Sequence, residues 1–138
     1  DDYEEGSWTP TLIGDGGTSG QTYAANGQVG RYVTIGKKVL ASGYIETWAL
    51  GTLTGSVAIS GLPFTSANVT KLYAVGAISG FVVASTWTWI FLEVAPNAAL
   101  AYLGGRKTAG SSTQGFAQAD FNAGTNVLAF SISYIADE

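Results

Sequence analysis

A chain of 138 residues, 46% hydrophobic and 12% aromatic, is one domain with a buried core, and that composition excludes a disordered polypeptide. Charged residues make up only 12%, about half the roughly 25% usual in soluble domains, so much of the surface is expected to be hidden in an oligomer. The net charge of -4 comes from the ends (Asp1, Asp2, Glu4 and Glu5, then Asp137 and Glu138); the other four of the ten acids face six bases, which excludes a basic stripe for nucleic acid.

Glycine and β-branched residues are spread throughout, and no long stretch keeps the i, i+3, i+4 spacing of an amphipathic helix. Strand signals recur instead. The acidic residues 1–6 are expected to be a solvated connector to an upstream domain. Residues 8–13 read as an opening strand, and Asp15-Gly16-Gly17-Thr18-Ser19-Gly20 as a loop of turn formers. A second strand is predicted over 27–35. Gly36-Lys37-Lys38 then reverses the chain into a strand over 39–48. There Val39, Ala41, Gly43 and Ile45 share one face, and Leu40, Ser42, Tyr44 and Trp48 the other, the period of two that a pleated strand imposes.

Residues 51–55 read as a turn, and 56–60 as a short strand with Val57 and Ile59 inward. Gly61-Leu62-Pro63-Phe64 ends it, because proline cannot continue a central ladder. Strands over 71–79 and 81–85 flank Gly80. The strongest strand signal is 86–94, with Thr86, Thr88, Ile90, Leu92 and Val94 on one face and Trp87, Trp89, Phe91 and Glu93 on the other. Both faces are largely apolar, which predicts cover on both sides. Pro96-Asn97 is a turn, 98–103 a strand, and 104–115 a polar loop holding Arg106 and Lys107. A strand over 116–121 and a turn over 122–125 precede the closing strand, 127–135, where Leu128, Phe130, Ile132 and Tyr134 share a face. The expected architecture is all-β: a single antiparallel β-sandwich over residues 1–138, jelly-roll-like, of nine or ten short strands.

Chemistry is scarce. The chain has no Cys, His or Met. Without Cys there are no disulfides or thiolates, and without His the commonest general base and metal ligand is missing. The lack of Met at position 1 points to a fragment of a longer protein. No apolar run reaches the ~18 residues of a membrane span, and most predicted strands fall short of the ~9–11 of a transmembrane barrel, so no membrane insertion is expected. A glycosidase needs two carboxylates roughly 5–9.5 Å apart. Away from the termini only Asp15, Glu46, Glu93 and Asp120 remain, and no two form a recognisable motif. There is no nucleophile elbow, and Gly14-Asp15-Gly16-Gly17 lacks the lysine and helix of a phosphate cradle. One carboxylate at Asp15 is thin for Ca²⁺. No catalytic residue, metal or cofactor is expected, and the function is read as non-enzymatic.

Binding then falls to aromatics. A sugar ring stacks its apolar face on Trp or Tyr while nearby polar side chains take its hydroxyls. The candidates are Trp48, Trp87, Trp89 and Tyr102, with Arg106, Gln118 and Asp120 as polar partners. The other reading of Trp87 and Trp89 is that they fill the core or an oligomer interface, since aromatics dominate both. Trp48, beside the Gly51 turn, is open between the two readings. Trp8 is assigned to structure.

Three blocks stand out: Glu5-Gly6-Ser7-Trp8-Thr9-Pro10, Val29-Gly30-Arg31-Tyr32-Val33-Thr34-Ile35-Gly36-Lys37 and Ile59-Ser60-Gly61-Leu62-Pro63-Phe64. With the closing Phe130-Ser131-Ile132-Ser133-Tyr134-Ile135-Ala136, they resemble a module found at or near the distal C-terminal end of bacteriophage tail fibres and tailspikes. The resemblance covers residues 4–64 well and is weak from there to about residue 126. It implies a β-sandwich that forms a homotrimer at the tip of a fibrous virion protein. Many such tips contact a host-surface polysaccharide or another receptor, and three copies of a weak site add avidity. Any hydrolase or lyase would, by the same resemblance, lie in another domain. A free-standing carbohydrate-binding module or lectin, and an assembly-only trimerisation cap, are the competing readings. Specificity is expected in the divergent residues 65–125.

Overall fold

The computed structural model describes residues 2–79, 87–107, 112–121 and 125–137. Its strands are β1 (Tyr3–Trp8), β2 (Thr11–Gly14), β3 (Gly17–Ser19), β4 (Thr22–Ile35), β5 (Lys38–Ala49), β6 (Thr52–Thr54), β7 (Val57–Ser60), β8 (Ala74–Ser79), β9 (Trp89–Val94), β10 (Leu100–Arg106), β11 (Gln114–Gly115) and β12 (Asn126–Ile135). One 3-10 turn, Gln118–Asp120, precedes β12.

Alternation on β5 shows how the layers are set. Val39, Ala41, Ile45 and Thr47 are buried, while Leu40, Ser42 and Trp48 are exposed. β12 repeats the pattern, burying Leu128, Phe130, Ile132 and Tyr134. A first sheet runs β1-β4-β5-β12-β8 and a second runs β8-β9-β10-β7-β2, with β11 beside β7 on the same edge of β10. Every pairing is antiparallel. The two sheets share β8: Ala74, Val75 and Gly76 pair with β9, and Ala77, Ile78 and Ser79 with β12. The crossover falls at Gly76, where an added Cβ would sit 2.5 Å from the Ser131 carbonyl oxygen and 2.8 Å from the Ile132 Cβ. Strands that switch sheets make the corners of such sandwiches, and glycine marks the close approach. On the opposite side the chain passes from β1 in one sheet to β2 in the other through Thr9-Pro10. The β3–β6 ribbon stands apart as a two-stranded sheet.

Between the sheets lie Leu12, Val39, Ile45, Val57, Ile59, Leu92, Leu103 and Leu128, none more than 1% exposed. Each such side chain contributes roughly 1.5–3 kcal/mol on burial. The distinctive sequence blocks frame this core. Gly30 and Gly43 are cross-strand partners. A Cβ on Gly30 would lie 2.7 Å from the Trp8 ring, and one on Gly43 2.5 Å from the Phe130 ring. Their bareness lets those two rings meet edge-on at 6.0 Å. The Trp8 indole N–H donates to the carbonyls of Arg31 and Ser42, both at 3.2 Å. Tyr32 meets Phe64 edge-on at 5.3 Å, and the Tyr134 hydroxyl donates to the Phe64 carbonyl at 2.8 Å. The blocks are thus neighbours across the sandwich, brought together by glycines that make room for rings.

The all-β antiparallel sandwich is as expected, with twelve strands among the described residues. β4, β5 and β12 run to 14, 12 and 10 residues and are not short. The predicted opening strand over 8–13 is broken at Pro10, which has no N–H for a ladder. The expected connector over 1–6 is instead mostly edge strand, since Tyr3 to Gly6 pair with Ile35 to Tyr32. Its acids are tied down there: Glu4 accepts from the Tyr32 hydroxyl at 2.6 Å and Glu5 from the Tyr3 hydroxyl at 3.0 Å. The loop over 15–20 and the turn over 51–55 are largely β3 and β6, which pair with each other.

Residues 71–73 precede β8, and Lys71 takes a left-handed conformation at φ 66°. The strand expected over 86–94 begins at Trp89 and is covered on one face, because Leu92 and Val94 are buried while Trp89 is exposed. The polar loop over 104–115 contains the end of β10 and all of β11. Residues 116–121 carry the 3-10 turn and are not a strand. The strand predicted over 81–85 lies outside the described residues, as do positions 122–124 of the predicted turn.

Candidate functional site

The second sheet presents its outer face through β9 and β10. Their register sets Trp89 opposite Arg106, Phe91 opposite Gly104, and Glu93 opposite Tyr102. Alternation sends Leu92 and Leu103 into the core, so these six positions share the outer side. Trp89 and Phe91 stack with ring centroids 5.0 Å apart and planes 29° apart. The Arg106 guanidinium lies 5.5 Å from the Trp89 ring centre, within reach of a cation–π contact. Trp89 is still 49% exposed.

Gly104 gives Phe91 its place, since a Cβ there would come within 2.9 Å of the ring. One strand further, Tyr102 lies opposite Ala58, which is fully buried although its neighbours in register face outward. The Tyr102 hydroxyl donates to Asp15 at 3.4 Å. Burial, and then the Asp15 carboxylate, pushes that hydroxyl above the ordinary tyrosine value. A shallow depression of about 140 Å³ lies between Phe91, Glu93, Tyr102 and Gln114. Two rings, a guanidinium, a carboxylate and a phenol are thereby presented side by side. Such a set can stack on an apolar ring face and both give and accept hydrogen bonds around it.

Of the seven predicted residues, Trp89, Tyr102 and Arg106 come together on this face. Trp87 does not, although sequence alternation put it beside Trp89. The chain bends at Thr88, whose N–H donates to the Arg106 carbonyl at 2.8 Å. The Trp87 ring turns inward to stack on the buried Phe116, with centroids 4.1 Å apart. Its indole N–H donates to Asp120 at 3.1 Å. Asp120 is itself buried, accepts from the Ala117 N–H at 2.9 Å and pairs with Lys107 at 3.9 Å. Gln118 accepts from the Leu53 N–H at 2.7 Å and donates to the Gly51 carbonyl at 2.9 Å, fastening β6. Trp48 sits on the first sheet's outer face, 61% exposed.

Phe91 and Glu93 complete the face and were not among the candidates. The signal was present: period-two spacing already set Trp89, Phe91 and Glu93 in line. What was missing was the partner strand, because Gly104-Gly105 reads as loop until the rings that fill their space are seen. Larger hollows of about 200 and 340 Å³ open elsewhere, beside Tyr73 and Tyr134 and beside Asp2 and Lys37. Neither is lined by any of the four tryptophans. Among the described residues no group of three His, Cys, Asp or Glu is placed to hold a metal, and no helix is long and apolar enough to cross a membrane.

The chain matches no protein-family model, and its sequence matches no curated protein. In structure it is similar to Dettilon tailspike protein (gp208), with a TM-score of 0.66 and 13% sequence identity. The likeness covers 96% of this chain and 24% of that one. The chain therefore spans about a quarter of the tailspike polypeptide, and the two share a fold over nearly all of the present sequence.

Proposed function

We propose that this chain is a non-enzymatic, tail-associated domain of a bacteriophage tailspike or tail fibre, which assembles as a homotrimer on the virion and binds a host-surface glycan. The tail assignment is supported by the fold shared with a segment of a tailspike and by the agreement of that fold with the resemblance of the sequence blocks. The observation that carries the glycan reading is the outer face of the second sheet. There Trp89 and Phe91 form an exposed ring platform flanked by Arg106, Glu93 and Tyr102. Sugars need this pairing of a flat apolar surface with adjacent donors and acceptors.

The commitments of Asp120 weigh against a carboxylate pair for hydrolysis, since both its oxygens are engaged within the chain. The test is binding of the 138-residue chain to an array of bacterial surface polysaccharides, repeated with Trp89→Ala. Binding lost in the variant while its fold persists is the expected result. Undiminished binding by Trp89→Ala, or release of reducing ends from a bound polysaccharide, refutes the reading. The assembly-only cap keeps one observation in its favour, the aliphatic outer face of the first sheet.

A further inference from the structure

The outer face of the first sheet is aliphatic where a solvated sheet is usually polar. Ile35 is 67% exposed and Leu40 54%, and Ile135 and Val29 are also exposed. Register groups Ile35, Leu40 and Ile135 together, and the polar row of Arg31, Ser42 and Ser131 separates them from Val29. Ile35 and Ile135 flank Lys38 in one row, Val33 and Ser133 flank Leu40 in the next, and Val29 lies two residues along from Arg31. Pairing is unbroken from Lys38 to Ile45 on β5 against both neighbours, and the irregularities in β4 fall beyond it, between Thr22 and Gln28. The surface is therefore a regular sheet face, not a groove. Trp48 and Tyr3, 61% and 54% exposed, stand at its opposite ends. Exposed aliphatic clusters rimmed by polar residues mark contact surfaces.

The charges on this face identify its occupant. Arg31 stands near its middle, exposed, with no ion pair among the described residues, where Lys107–Asp120 is the one such pair. Glu5 and Glu46 point out from the same face and accept only tyrosine hydroxyls, from Tyr3 at 3.0 Å and Tyr44 at 2.8 Å. With Lys38, exposed in the row of Ile35 and Ile135, the face carries two cations and two acids, none of them in an ion pair among the described residues, a balanced set that copies of the chain can pair between them. Three copies that turn this face toward a shared axis bring aliphatic surface to aliphatic surface and a neighbour's carboxylate toward each Arg31. The aliphatic cluster of Ile35, Leu40 and Ile135 has no flat ring to offer a sugar, and the rings of Trp48 and Tyr3 stand apart at the two ends of the face rather than stacked as on the other sheet.

We infer that the outer face of the first sheet is the surface through which copies of this chain associate, with Leu40 and Ile35 covered in the contact and Arg31 paired to an acid of a neighbouring copy. The inference rests on the homotrimer reading and assigns that reading a surface. The test is sedimentation of the 138-residue chain at micromolar concentration beside Leu40→Lys and Ile35→Lys, two positions exposed enough to accept lysine. The expected result is an oligomeric wild type and a loss of the oligomer in both variants, with unchanged circular dichroism.

Thiol labelling gives a second readout that needs no disruptive substitution, because the chain has no cysteine. A cysteine at Ser131, on this face, should be protected from a thiol reagent in the oligomer, while one at Thr88, beside the second sheet, labels freely. An oligomer that survives both lysines and labels at Ser131→Cys as fast as at Thr88→Cys overturns the inference and leaves the homotrimer standing. A wild type that sediments as a monomer overturns both.

Discussion

The two outer faces of this sandwich are built on the same backbone and carry opposite chemistry. On the first sheet the outward positions of β4, β5 and β12 hold Ile35, Leu40 and Ile135, with charges only at intervals. On the second, the outward positions of β9 and β10 hold rings interleaved with a guanidinium and a carboxylate. Both are more apolar than solvent alone calls for. Aliphatic side chains on a regular sheet suit a rigid protein surface of the same kind. Stacked rings beside polar groups suit a ligand with one flat apolar face and a polar rim. A charge content of 12% is tolerable if one face is covered by copies of the chain and the other meets a partner.

The largest expected effect breaks both faces at once. Trp8 fills the space that Gly30 leaves, and its ring edge meets Phe130. Trp8→Ala should cost about 3–5 kcal/mol of stability, and the two indole hydrogen bonds go with the ring. Denaturant unfolding should show the loss, with self-association and glycan binding falling together. If either property survives unchanged, the two faces are not held by one shared core.

Next in size is the substitution that separates the faces. Trp89→Ala removes the exposed ring, the stack on Phe91 and the surface under Arg106. Aromatic stacking is worth about 0.5–1.5 kcal/mol beyond the area it buries, so glycan affinity should fall roughly tenfold or more, since each ~1.4 kcal/mol is a factor of ten. The sedimentation behaviour should stay that of the wild type. Trp48→Ala is the mirror experiment, because Trp48 stands on the first sheet. It should weaken association and spare the glycan. A glycan defect in Trp48→Ala with none in Trp89→Ala would exchange the roles of the faces.

How much of this was legible in the sequence follows from which forces are local. Alternation on residues 39–48 and 127–135 is imposed by the pleat, so the inward residues of β5 and β12 could be read directly. The blocks around Trp8, Gly30 and Phe64 were legible as strand ends and turns, but their mutual packing was not. Nothing in the spacing says that Gly30 and Gly43 are cross-strand partners vacating room for Trp8 and Phe130. The same blindness hid the end of β10. Gly104 and Gly105 look like loop, yet a Cβ at Gly105 would lie 3.0 Å from the Trp87 ring, and a glycine inside a strand marks such an approach. Gln118 and Asp120 stand out as sugar partners by residue type alone. Burial turned that polarity inward, onto Leu53, Gly51, Ala117 and Trp87. Arg106 kept a place on the face because β10 carries its alternation to that residue.

The smallest expected effect probes what the faces share. Tyr134 points inward from β12, donates to the Phe64 carbonyl at 2.8 Å and accepts from the Phe64 N–H at 3.3 Å. Tyr134→Phe should therefore cost about 1 kcal/mol at neutral pH, with little change on either face. Its pH dependence is more telling. Burial pushes the Tyr134 hydroxyl up to about 12, with the Phe64 hydrogen bond working the other way. Unfolded, it titrates near 10. The folded state thus holds the proton where the unfolded state has lost it, so this contribution is whole below pH 10 and disappears as the pH rises from there to about 12. Tyr44 and Tyr102 are also raised, Tyr44 first by its hydrogen bond to Glu46 on one face and Tyr102 first by burial on the other. Denaturant midpoints measured across that alkaline window should fall in the wild type and fall less steeply in Tyr134→Phe. Tyr44→Phe and Tyr102→Phe each remove a group from one face only and should leave most of the slope in place. Equal slopes in the wild type and Tyr134→Phe would mean that the alkaline loss originates elsewhere, in Tyr23, which burial also raises, or on the faces, and that the Tyr134 hydrogen bond is not what the alkaline window reads.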